Sequence, residues 1–354
     1  MQIGILGFAK SGKTTLFNLL TGSDAETGKF AASAETHMGV ASVPDRRLEQ
    51  LRDLFDPKRY TPATVTYVDI PGVKKGEGAE SLDLAGLREV DALIHVVRAF
   101  EDADLLHPQG SVNPARDIEN LDLELILADL DLISRRVGRL EQAKKRGLST
   151  AEKAELTLLE VVVLPALESE TPLRDVDLDE HQDRTLRGFQ LLSAKPLLLA
   201  INVDESQLAT AGSEDFGVSA EVPAFLISAP IESEISKLEG EEQIEFLGDL
   251  GLLEPSVDRV IRASYDLLGL RSFFTVGEDE VRAWTIRKGT TARGSARVIH
   301  TDLERGFIRA EVVPWDDLVR LKTLAACWDE GIMRLEGKEY VTVDGDVMHI
   351  RSGV

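Results

Sequence analysis

The chain has 354 residues, 43% of them hydrophobic, and a formal net charge of −22, so we expect two or three domains and no general nucleic-acid or membrane binding by the whole surface. Cys327 is the single cysteine, which excludes a disulfide framework and fits a reducing cytosol. No apolar run approaches the roughly 20 residues that cross a bilayer, and the N-terminus lacks the cationic start of a signal peptide, so we expect a cytoplasmic protein without a membrane partner.

The first and the central parts of the chain predict a parallel α/β sheet. Short apolar runs bounded by glycine or proline are typical of buried parallel strands, and a helix with its leucines on one face separates the first two runs. The predicted elements are strands at Gln2–Leu6, Val65–Ile70, Asp91–Val97, Pro196–Ile201 and Pro223–Ile227, and a helix at Lys13–Thr21. Strands separated by helical segments imply helices packed on a parallel sheet.

The first strand-to-helix junction carries a phosphate-binding motif. Residues 7–14 read Gly-Phe-Ala-Lys-Ser-Gly-Lys-Thr, which matches G-x-x-x-x-G-K-[ST] in the required context. Its glycines let successive backbone N–H groups converge on phosphate oxygens, next to the positive end of the helix dipole. In this motif Lys13 reaches the β- and γ-phosphates and Thr14 ligates Mg²⁺. The other predicted nucleotide-binding residues of the loop are Lys10, Ser11, Gly12 and Thr15.

A D-x-x-G motif, formed by Asp69 and Gly72, ends the second predicted strand. Asp69 is placed to hold Mg²⁺, and the Gly72 N–H can bond the γ-phosphate and sense its loss. Ras-type GTPases have a glutamine just after this motif to orient the attacking water, whereas this chain has Val73, which can neither donate nor accept a hydrogen bond. We therefore expect slow unaided hydrolysis, with Lys13, Asp69 and Gly72 as the catalytic residues.

The base-recognition segment favours ATP over GTP. GTP-specific switches read guanine with N-K-x-D, but the position after Pro196–Ile201 holds Asn202-Val203-Asp204-Glu205. Val203 supplies no cation above the ring, and the Glu205 carboxylate lies one methylene too far out, so guanine loses contacts worth roughly 1–3 kcal/mol. We expect Asn202, Val203 and Glu205 to line the base site and Ser228-Ala229 to close it, with GTP as the alternative ligand.

A helical insertion is predicted in the middle of the chain. From Pro114 to about Gly147, leucine, isoleucine and valine recur every three or four residues with charges between them. A second helical run, Thr150–Glu170, is broken near Pro165, and Glu180–Leu192 continues it before the strands resume. The simplest interpretation is a helical hairpin inserted into the α/β domain, and the alternative is a set of helices that cover the sheet.

After Leu268 the pattern predicts a small β-rich domain. The predicted strands are Arg282–Ile286, Phe307–Val313, Tyr340–Val343 and Val347–Ile350, with Asp344-Gly345 as the turn of a hairpin between the last two. Seven basic residues and only two acidic ones lie between positions 282 and 309, together with Trp284 and Phe307. This composition predicts an RNA contact. Pairing of these charges with the acidic α/β domain is the alternative, and His300 has no neighbouring metal ligands and is expected to be structural.

These motifs together resemble the YchF/Obg-like ATPase family. The resemblance rests on the P-loop, on D-I-P-G and N-V-D-E, and on longer blocks at residues 88–100, 282–290 and 299–312, so it spans nearly the whole chain. It implies an α/β fold: a P-loop NTPase G-domain at 1–112 and 194–268, an inserted coiled-coil arm at 113–193, and a C-terminal β-grasp domain of the TGS type at 269–354. It also implies slow ATP hydrolysis and association with the ribosome or rRNA through the TGS-like domain and the arm, without DNA. A GTP-dependent Obg-type factor and a nucleotide-binding adaptor with negligible turnover are the alternatives.

Two positions depart from the family's pattern. The family's P-loop has an asparagine where this chain has Lys10, and in related switches that asparagine helps to coordinate a monovalent cation. We expect the Lys10 ammonium to replace that cation and to make activity indifferent to K⁺, unless the lysine is simply solvated. The second Mg²⁺ ligand is expected at Ser33, although the family's aromatic neighbours are missing there, and Thr36 is the alternative.

Overall fold

The computed structural model describes residues 1–25, 36–71, 83–219 and 222–353. The strands of these ranges are β1 (Gln2–Leu6), β2 (His37–Ser42), β3 (Arg59–Thr61), β4 (Thr64–Asp69), β5 (Ala92–Arg98), β6 (Leu197–Asn202), β7 (Ala224–Ile227), β8 (Leu270–Thr275), β9 (Glu280–Arg287), β10 (Phe307–Pro314), β11 (Arg334–Glu336) and β12 (Asp346–Ser352).

The α-helices of the same ranges are α1 (Lys13–Thr21), α2 (Arg46–Phe55), α3 (Leu84–Glu89), α4 (Pro114–Lys144), α5 (Thr150–Leu158), α6 (Leu164–Glu168), α7 (Glu180–Leu186), α8 (Glu205–Leu208), α9 (Ala229–Ile235), α10 (Gly240–Asp249), α11 (Ser256–Leu267), α12 (Ala292–Ile299), α13 (Thr301–Arg305), α14 (Trp315–Leu321) and α15 (Leu324–Asp329). None of these helices combines the length and the apolar character that crossing a bilayer requires.

The first sheet has the strand order β2-β4-β1-β5-β6-β7, and the five strands from β4 to β7 in this order run parallel to one another. The predicted parallel α/β sheet is therefore confirmed. Strands β5 and β6 are buried along their whole length, as expected for mostly aliphatic sequences in a parallel sheet. Because parallel strands end at the same edge, the sheet brings the loop after β1 together with the ends of β4 and β6.

The arm is built on one long helix, α4, whose 31 residues span about 46 Å at 1.5 Å per residue. Leu121 and Leu125, near its beginning, pack in the core of the first sheet. Farther along, Ile133 and Leu140 pack in a second core with residues of α5 and of the segment after it. One uninterrupted helix therefore runs through both cores.

The predicted break near Pro165 takes the form of a π-helical turn at Leu159–Val163, between α5 and α6. Proline has no N–H group to donate to the carbonyl four residues earlier, so a regular α-helix cannot be completed there. The wider turn keeps the chain helical past this point. Short 3₁₀ segments follow at Leu173–Asp175 and Arg187–Phe189.

A buried polar cluster joins α3 to the root of the arm. Arg88 Nη1 lies 3.2 Å from Asp129 Oδ1 on α4. The Asp129 carboxylate also accepts hydrogen bonds from Leu192 N, Ser193 N and Ser193 Oγ, at 3.0, 2.8 and 2.9 Å. Lys195 Nζ donates to the carbonyl oxygens of Arg88 and Val90, at the C-terminal end of α3. The Asp129 carboxylate thus connects α3, α4 and the segment at residues 192–193.

The chain divides into two compact units, one formed by Met1–Gly39 and Thr66–Val260 and the other by Val40–Val65 and Ile261–Val354. Residues 40–65, which the predicted boundaries place in the first domain, belong to the second unit because β3 pairs in parallel with β9. The Asp45 N-cap starts α2, which the sequence analysis did not identify, and that helix lies in the second unit as well. The domain boundaries proposed from the sequence otherwise stay predictions.

The second unit contains the sheet β11-β10-β12-β8-β9-β3. Its core includes Phe273, Phe307, Ala292 and Ala296, the last two from α12. The predicted hairpin between Tyr340–Val343 and the last strand is wrong. Val341 makes only an isolated bridge with Thr291, and β12 pairs with β10 and β8 instead.

The Asp344-Gly345 turn contacts β8, which explains why no hairpin forms. Ser272 N donates to Asp344 Oδ1 at 2.8 Å, and Gly345 N donates to Ser272 O at 2.8 Å. Thr342 N donates instead to Thr290 O, at 2.9 Å. The residues before the turn therefore bond to the segment ahead of α12 and are not available to pair with β12.

Candidate nucleotide-binding site

The loop between β1 and α1 has the backbone conformation that its glycines allow. Gly7 and Gly12 have φ values of +150° and +100°, and Lys10 between them has φ +66°. A Cβ atom on Gly7 would approach Val96 O to 2.4 Å, and one on Gly12 would approach Asn202 Nδ2 to 2.5 Å. Glycine is thus required at both positions by conformation and by space.

Lys13, the first residue of α1, folds back over this loop. Its Nζ donates to Phe8 O at 2.9 Å, and the side chain is only 7% exposed. Burial lowers the pKa of Lys13 to about 8, and the nearby charge of Asp69 acts in the opposite direction. The loop therefore holds a desolvated ammonium where a phosphate would lie.

Thr14 and Asp69 meet at the ends of α1 and β4. Thr14 Oγ1 donates to Asp69 Oδ2 at 2.8 Å, and the carboxylate is 3% exposed. Burial raises the pKa of Asp69, while the Thr14 hydrogen bond and the Lys13 charge lower it. Asp69 Oδ1 and Ser11 Oγ are buried without a hydrogen-bond partner among the described residues. Such unsatisfied oxygens fit a hard cation such as Mg²⁺, which prefers oxygen ligands.

Asn202, the last residue of β6, contacts both the loop between β1 and α1 and the start of α9. Its Nδ2 donates to Ser11 O at 3.1 Å, and its Oδ1 accepts from Ala229 N at 3.3 Å. The sequence analysis placed Asn202 beside the base, and the structure adds a contact with the loop between β1 and α1. Ser228 is buried and immediately precedes α9, so both residues expected to close the base site lie next to Asn202.

The other residues predicted around the base differ in placement. Val203 is buried in the hydrophobic core, so its side chain does not line a base site, and its N–H donates to Ile227 O at 2.8 Å. This corrects the expectation for Val203, whose apolar side chain is stabilised by burial. Glu205 is exposed in the first turn of α8. Its role at the base stays a prediction.

The remaining predicted site residues are only partly described. Gly72 and Ser33 lie outside the described residues. Thr36, the alternative Mg²⁺ ligand, is exposed, as is Lys10, and Thr15 is half-buried. Lys13, Thr14, Asp69, Ser11 and Asn202 are therefore the predicted residues that the structure brings together.

His95 on β5 is a polar residue of this region that the sequence analysis did not single out. It is 1% exposed, and its Nε2 has no hydrogen-bond partner among the described residues. Burial lowers the pKa of His95 to about 3, and the charges of Lys13 and Arg174 act in the same direction. The imidazole is therefore neutral. The sequence signal that could have identified it was a histidine flanked on both sides by aliphatic residues of a predicted strand.

His107, on the loop after β5, pairs with Asp117 of α4. The start of this loop contacts Asn202, since Ala99 N donates to Asn202 O at 2.8 Å. His107 Nε2 lies 3.0 Å from Asp117 Oδ2, and both side chains are buried. Burial lowers the pKa of His107, and the Asp117 charge opposes this effect. This pair could not be predicted from the sequence because its members lie ten residues apart on different elements.

Two known family models match the N-terminal and the C-terminal parts of the chain. Residues 2–133 match the family model described as "50S ribosome-binding GTPase" (MMR_HSR1). Residues 270–353 match the model YchF-GTPase_C, described as "Protein of unknown function (DUF933)".

Several relatives match from end to end. The protein named "Ribosome-binding ATPase YchF" of Pasteurella multocida (strain Pm70) is 44% identical over 362 residues, covering 100% of this chain and 99% of the relative. The protein of the same name from Bacillus subtilis (strain 168) is 42% identical over 372 residues and covers 100% of both. The solved structure of the Schizosaccharomyces pombe YchF GTPase superposes with a TM-score of 0.86 at 31% identity, over 99% of this chain and 97% of that one. The α/β P-loop architecture expected from the sequence is therefore confirmed.

Proposed function

Because the chain belongs to the YchF family, we propose that it is a ribosome-associated ATPase that hydrolyses its nucleotide slowly and works as a molecular switch. The cytoplasm is the compartment that fits this role. The observation that carries the proposal is that Lys13, Thr14 and Asp69 lie together at one loop, between β1 and α1. Asn202, at the end of β6, is hydrogen-bonded to the same loop.

The residues of the site divide the work of binding. Gly7, Gly12 and the start of α1 present backbone N–H groups to the phosphates, and Lys13 exchanges the Phe8 carbonyl for a phosphate oxygen. Thr14 and Asp69 are the residues that would hold Mg²⁺, in place of the hydrogen bond that they now share. The ion, when bound, neutralises charge on the β- and γ-phosphates.

Adenine is proposed as the base although the family model carries a GTPase name. Guanine recognition needs a cation over the ring and a carboxylate at the Watson–Crick edge. Val203 is buried in the core and Glu205 is an exposed residue with a longer side chain than aspartate, so neither supplies these contacts. The bacterial relatives that match over the full chain carry ATPase names, which supports the same choice, whereas the Schizosaccharomyces pombe structure carries a GTPase name.

Slow hydrolysis is proposed because Val73, at the position where Ras-type enzymes orient water with glutamine, cannot form a hydrogen bond. A switch needs a nucleotide-bound state that persists long enough to be read by a partner. A turnover rate well below the median for enzymes, about 10 s⁻¹, is therefore expected.

Ribosome association is proposed from the relatives' names and from cations of the second unit. Arg287, Lys288, Arg293 and Arg309 are exposed, whereas Arg297 and Arg305 lie 3.8 and 3.9 Å from carboxylates of Glu304 and Asp302. Stacking of Phe307 on RNA bases is excluded because its ring is buried in the core of this unit. Trp284 is already covered by the guanidinium of Arg282, 3.9 Å from the ring centroid.

The decisive experiment on the nucleotide is competition of ATP and GTP against a fluorescent nucleotide, with phosphate release measured alongside. ATP should compete at least as well as GTP, and Lys13→Ala should abolish both binding and phosphate release. Stronger competition by GTP would favour a GTP-dependent factor, the candidate that the family model's name supports. Binding without Lys13-dependent phosphate release would favour an adaptor.

Ribosome association is tested by sedimentation of the protein with purified bacterial ribosomes in the presence of ATP, in the presence of ADP and without nucleotide. A switch should pellet to different extents in ATP and in ADP. Equal pelleting in all three conditions would contradict switching, and no pelleting in any of them would contradict ribosome association.

A further inference from the structure

The shaft of the arm, which we define as residues 113–138 and 154–193, has its positive charges neutralised by carboxylates of the arm itself. Every arginine there lies within 4 Å of a carboxylate, and most pairs are short. Arg136 Nε lies 2.6 Å from Glu155 Oε1, and Arg174 Nη2 lies 2.5 Å from Asp122 Oδ2. The other paired arginines are Arg116 with Asp117, Arg135 with Asp131, Arg184 with Glu180, and Arg187 with Asp183.

The arm tip, which we define as residues 139–153, shows the opposite arrangement. It contains the end of α4, the turn at Gly147 and the start of α5. Four of its cations are exposed and have no carboxylate within 4 Å among the described residues: Arg139, Lys145, Arg146 and Lys153. Of the two tip glutamates, Glu141 lies 3.8 Å from Lys144, and Glu152 is bound to Ser149 in the cap of α5. The free charge of the tip is thus positive, in a chain with a net charge of −22.

Helix capping accounts for only part of this charge. Cations near the C-terminus of α4 interact favourably with the helix dipole. Lys153, however, lies at the start of α5, where the dipole disfavours a positive charge. Arg139 is more than one turn from the end of α4. Local helix stability therefore does not explain the positive charges at these two positions.

The chemistry of the tip points to a phosphate backbone. Protein–protein interfaces are anchored by buried apolar or aromatic side chains, and none of the large exposed apolar residues falls within 139–153. Flexible cations without an apolar centre fit a polyanion whose charge repeats regularly. Because the chain as a whole is acidic and repels such a polymer, attraction has to come from local groups of free cations, of which the tip is one.

We propose that the arm tip binds the phosphate backbone of RNA through Arg139, Lys145, Arg146 and Lys153. This inference rests on the proposed ribosome association and specifies one of its contact surfaces. The contact is electrostatic and independent of base sequence, so it positions the arm on RNA, and recognition of a particular site is left to other surfaces.

The test compares two variants of the full chain that remove the same charge from the same arm. Lys145→Gln/Arg146→Gln removes two free cations of the tip, whereas Arg184→Gln/Arg187→Gln removes two paired cations of the shaft. Each variant is titrated with a fluorescein-labelled 20-base-pair RNA duplex over a range of KCl concentrations and is sedimented with purified bacterial ribosomes. Circular dichroism and binding of a fluorescent nucleotide verify that both variants are folded.

The tip variant should bind the duplex roughly tenfold or more weakly at 0.1 M salt. The slope of log K against log salt concentration should fall by about 2, since each phosphate contact contributes about 0.9. The shaft variant should stay within about twofold of the wild type. Equal loss in both variants, or no loss in either, would overturn the proposal.

The sedimentation with ribosomes separates the remaining outcomes. If the tip variant binds ribosomes more weakly but the RNA duplex normally, the partner is an acidic protein surface and the RNA assignment is wrong. If the wild type binds the duplex through its tip but never pellets with ribosomes, the ribosome proposal fails while the RNA contact stands.

Discussion

Arg88 and Asp129 connect the end of α3 to the arm through an ion pair of 3.2 Å whose carboxylate is completely buried. Asp129 accepts three further hydrogen bonds from Leu192 and Ser193, so its negative charge is fully compensated by partners from two other segments. A buried charge with this many partners fixes the position of the chain at both ends of the arm.

Asp129→Ala should therefore be strongly destabilising. Removal of the carboxylate leaves the Arg88 guanidinium without its counter-charge and two buried N–H groups without partners, which costs about 3–5 kcal/mol for a buried pair. The measurement is chemical denaturation followed by circular dichroism. Asp131→Ala, which breaks the exposed Arg135 pair on the same helix, is the matched control and should cost less than about 1 kcal/mol. Equal effects of the two substitutions would contradict the role of Asp129.

Nucleotide binding should take up protons at alkaline pH. The pKa of Lys13 is lowered to about 8 in the free protein, so about half of the lysines are neutral at pH 8. Phosphate oxygens stabilise the ammonium and raise its pKa, and binding must then be accompanied by uptake of about half a proton at pH 8 and far less at pH 7. Titration calorimetry in buffers of different ionisation enthalpy measures this uptake. A proton count that does not change between the two pH values would be inconsistent with the buried lysine.

The Mg²⁺-dependent part of nucleotide affinity should depend on the Thr14 hydroxyl. Thr14→Ala removes one ligand and leaves Asp69 without its hydrogen-bond donor, so the gain in affinity on adding Mg²⁺ should shrink by roughly tenfold, on the order of 1.4 kcal/mol. Thr14→Ser keeps the hydroxyl and should retain the gain. Affinity for a fluorescent nucleotide is measured with Mg²⁺ and with EDTA. An Ala variant with the full response to Mg²⁺ would rule out this ligand.

The protein should lose stability in acid partly because of His95. Its pKa in the folded state, about 3, lies below the ordinary value of 6.5, so the unfolded chain binds more protons between these two pH values. The stabilising contribution is therefore complete above pH 6.5 and falls by about 1.4 kcal/mol for each pH unit below it. His95→Leu should reduce the loss of unfolding free energy between pH 7.5 and pH 5 by about 2 kcal/mol. An unchanged loss in the variant would show that the histidine is not desolvated.

We expect the ATPase rate to be indifferent to K⁺ if, as proposed from the sequence, the Lys10 ammonium takes the place of a monovalent cation. Lys10 is exposed and lies in the loop between two glycines, so its side chain is free to turn toward bound phosphates. The rates in KCl and NaCl should agree within about twofold, which corresponds to about 0.4 kcal/mol in barrier height. Lys10→Asn should introduce a preference for K⁺. A several-fold K⁺ stimulation of the wild type would refute the substitution of lysine for the ion.

Much of the phosphate site could be predicted because its causes are local. Gly7, Gly12 and Lys13 lie within one short segment, and the strand and helix on either side have the predicted bounds. The long arm helix was also predictable, since α4 repeats its apolar residues at helical spacing and begins with an Asn113 cap followed by proline.

Long-range contacts could not be predicted from local patterns. Asn202 was expected beside the base, but its hydrogen bond to Ser11 spans 191 positions and depends on the parallel order of β1, β5 and β6. The Asp344-Gly345 turn has the composition of a hairpin, yet its hydrogen bonds go to Ser272. Val203 directly follows β6, and its apolar side chain is buried in the core of the sheet.

The continuity of α4 has a consequence for how the first unit unfolds. Leu121 and Leu125 belong to the core of the sheet, whereas Ile133 and Leu140 belong to the core of the arm. Loss of either core exposes apolar side chains on the helix that also supports the other core, so we expect the arm and the first sheet to unfold in one cooperative transition. A cleavage at Gly147 would leave two fragments that remain associated, since the contacts of α4 with α5 and α6 do not depend on the turn that joins them.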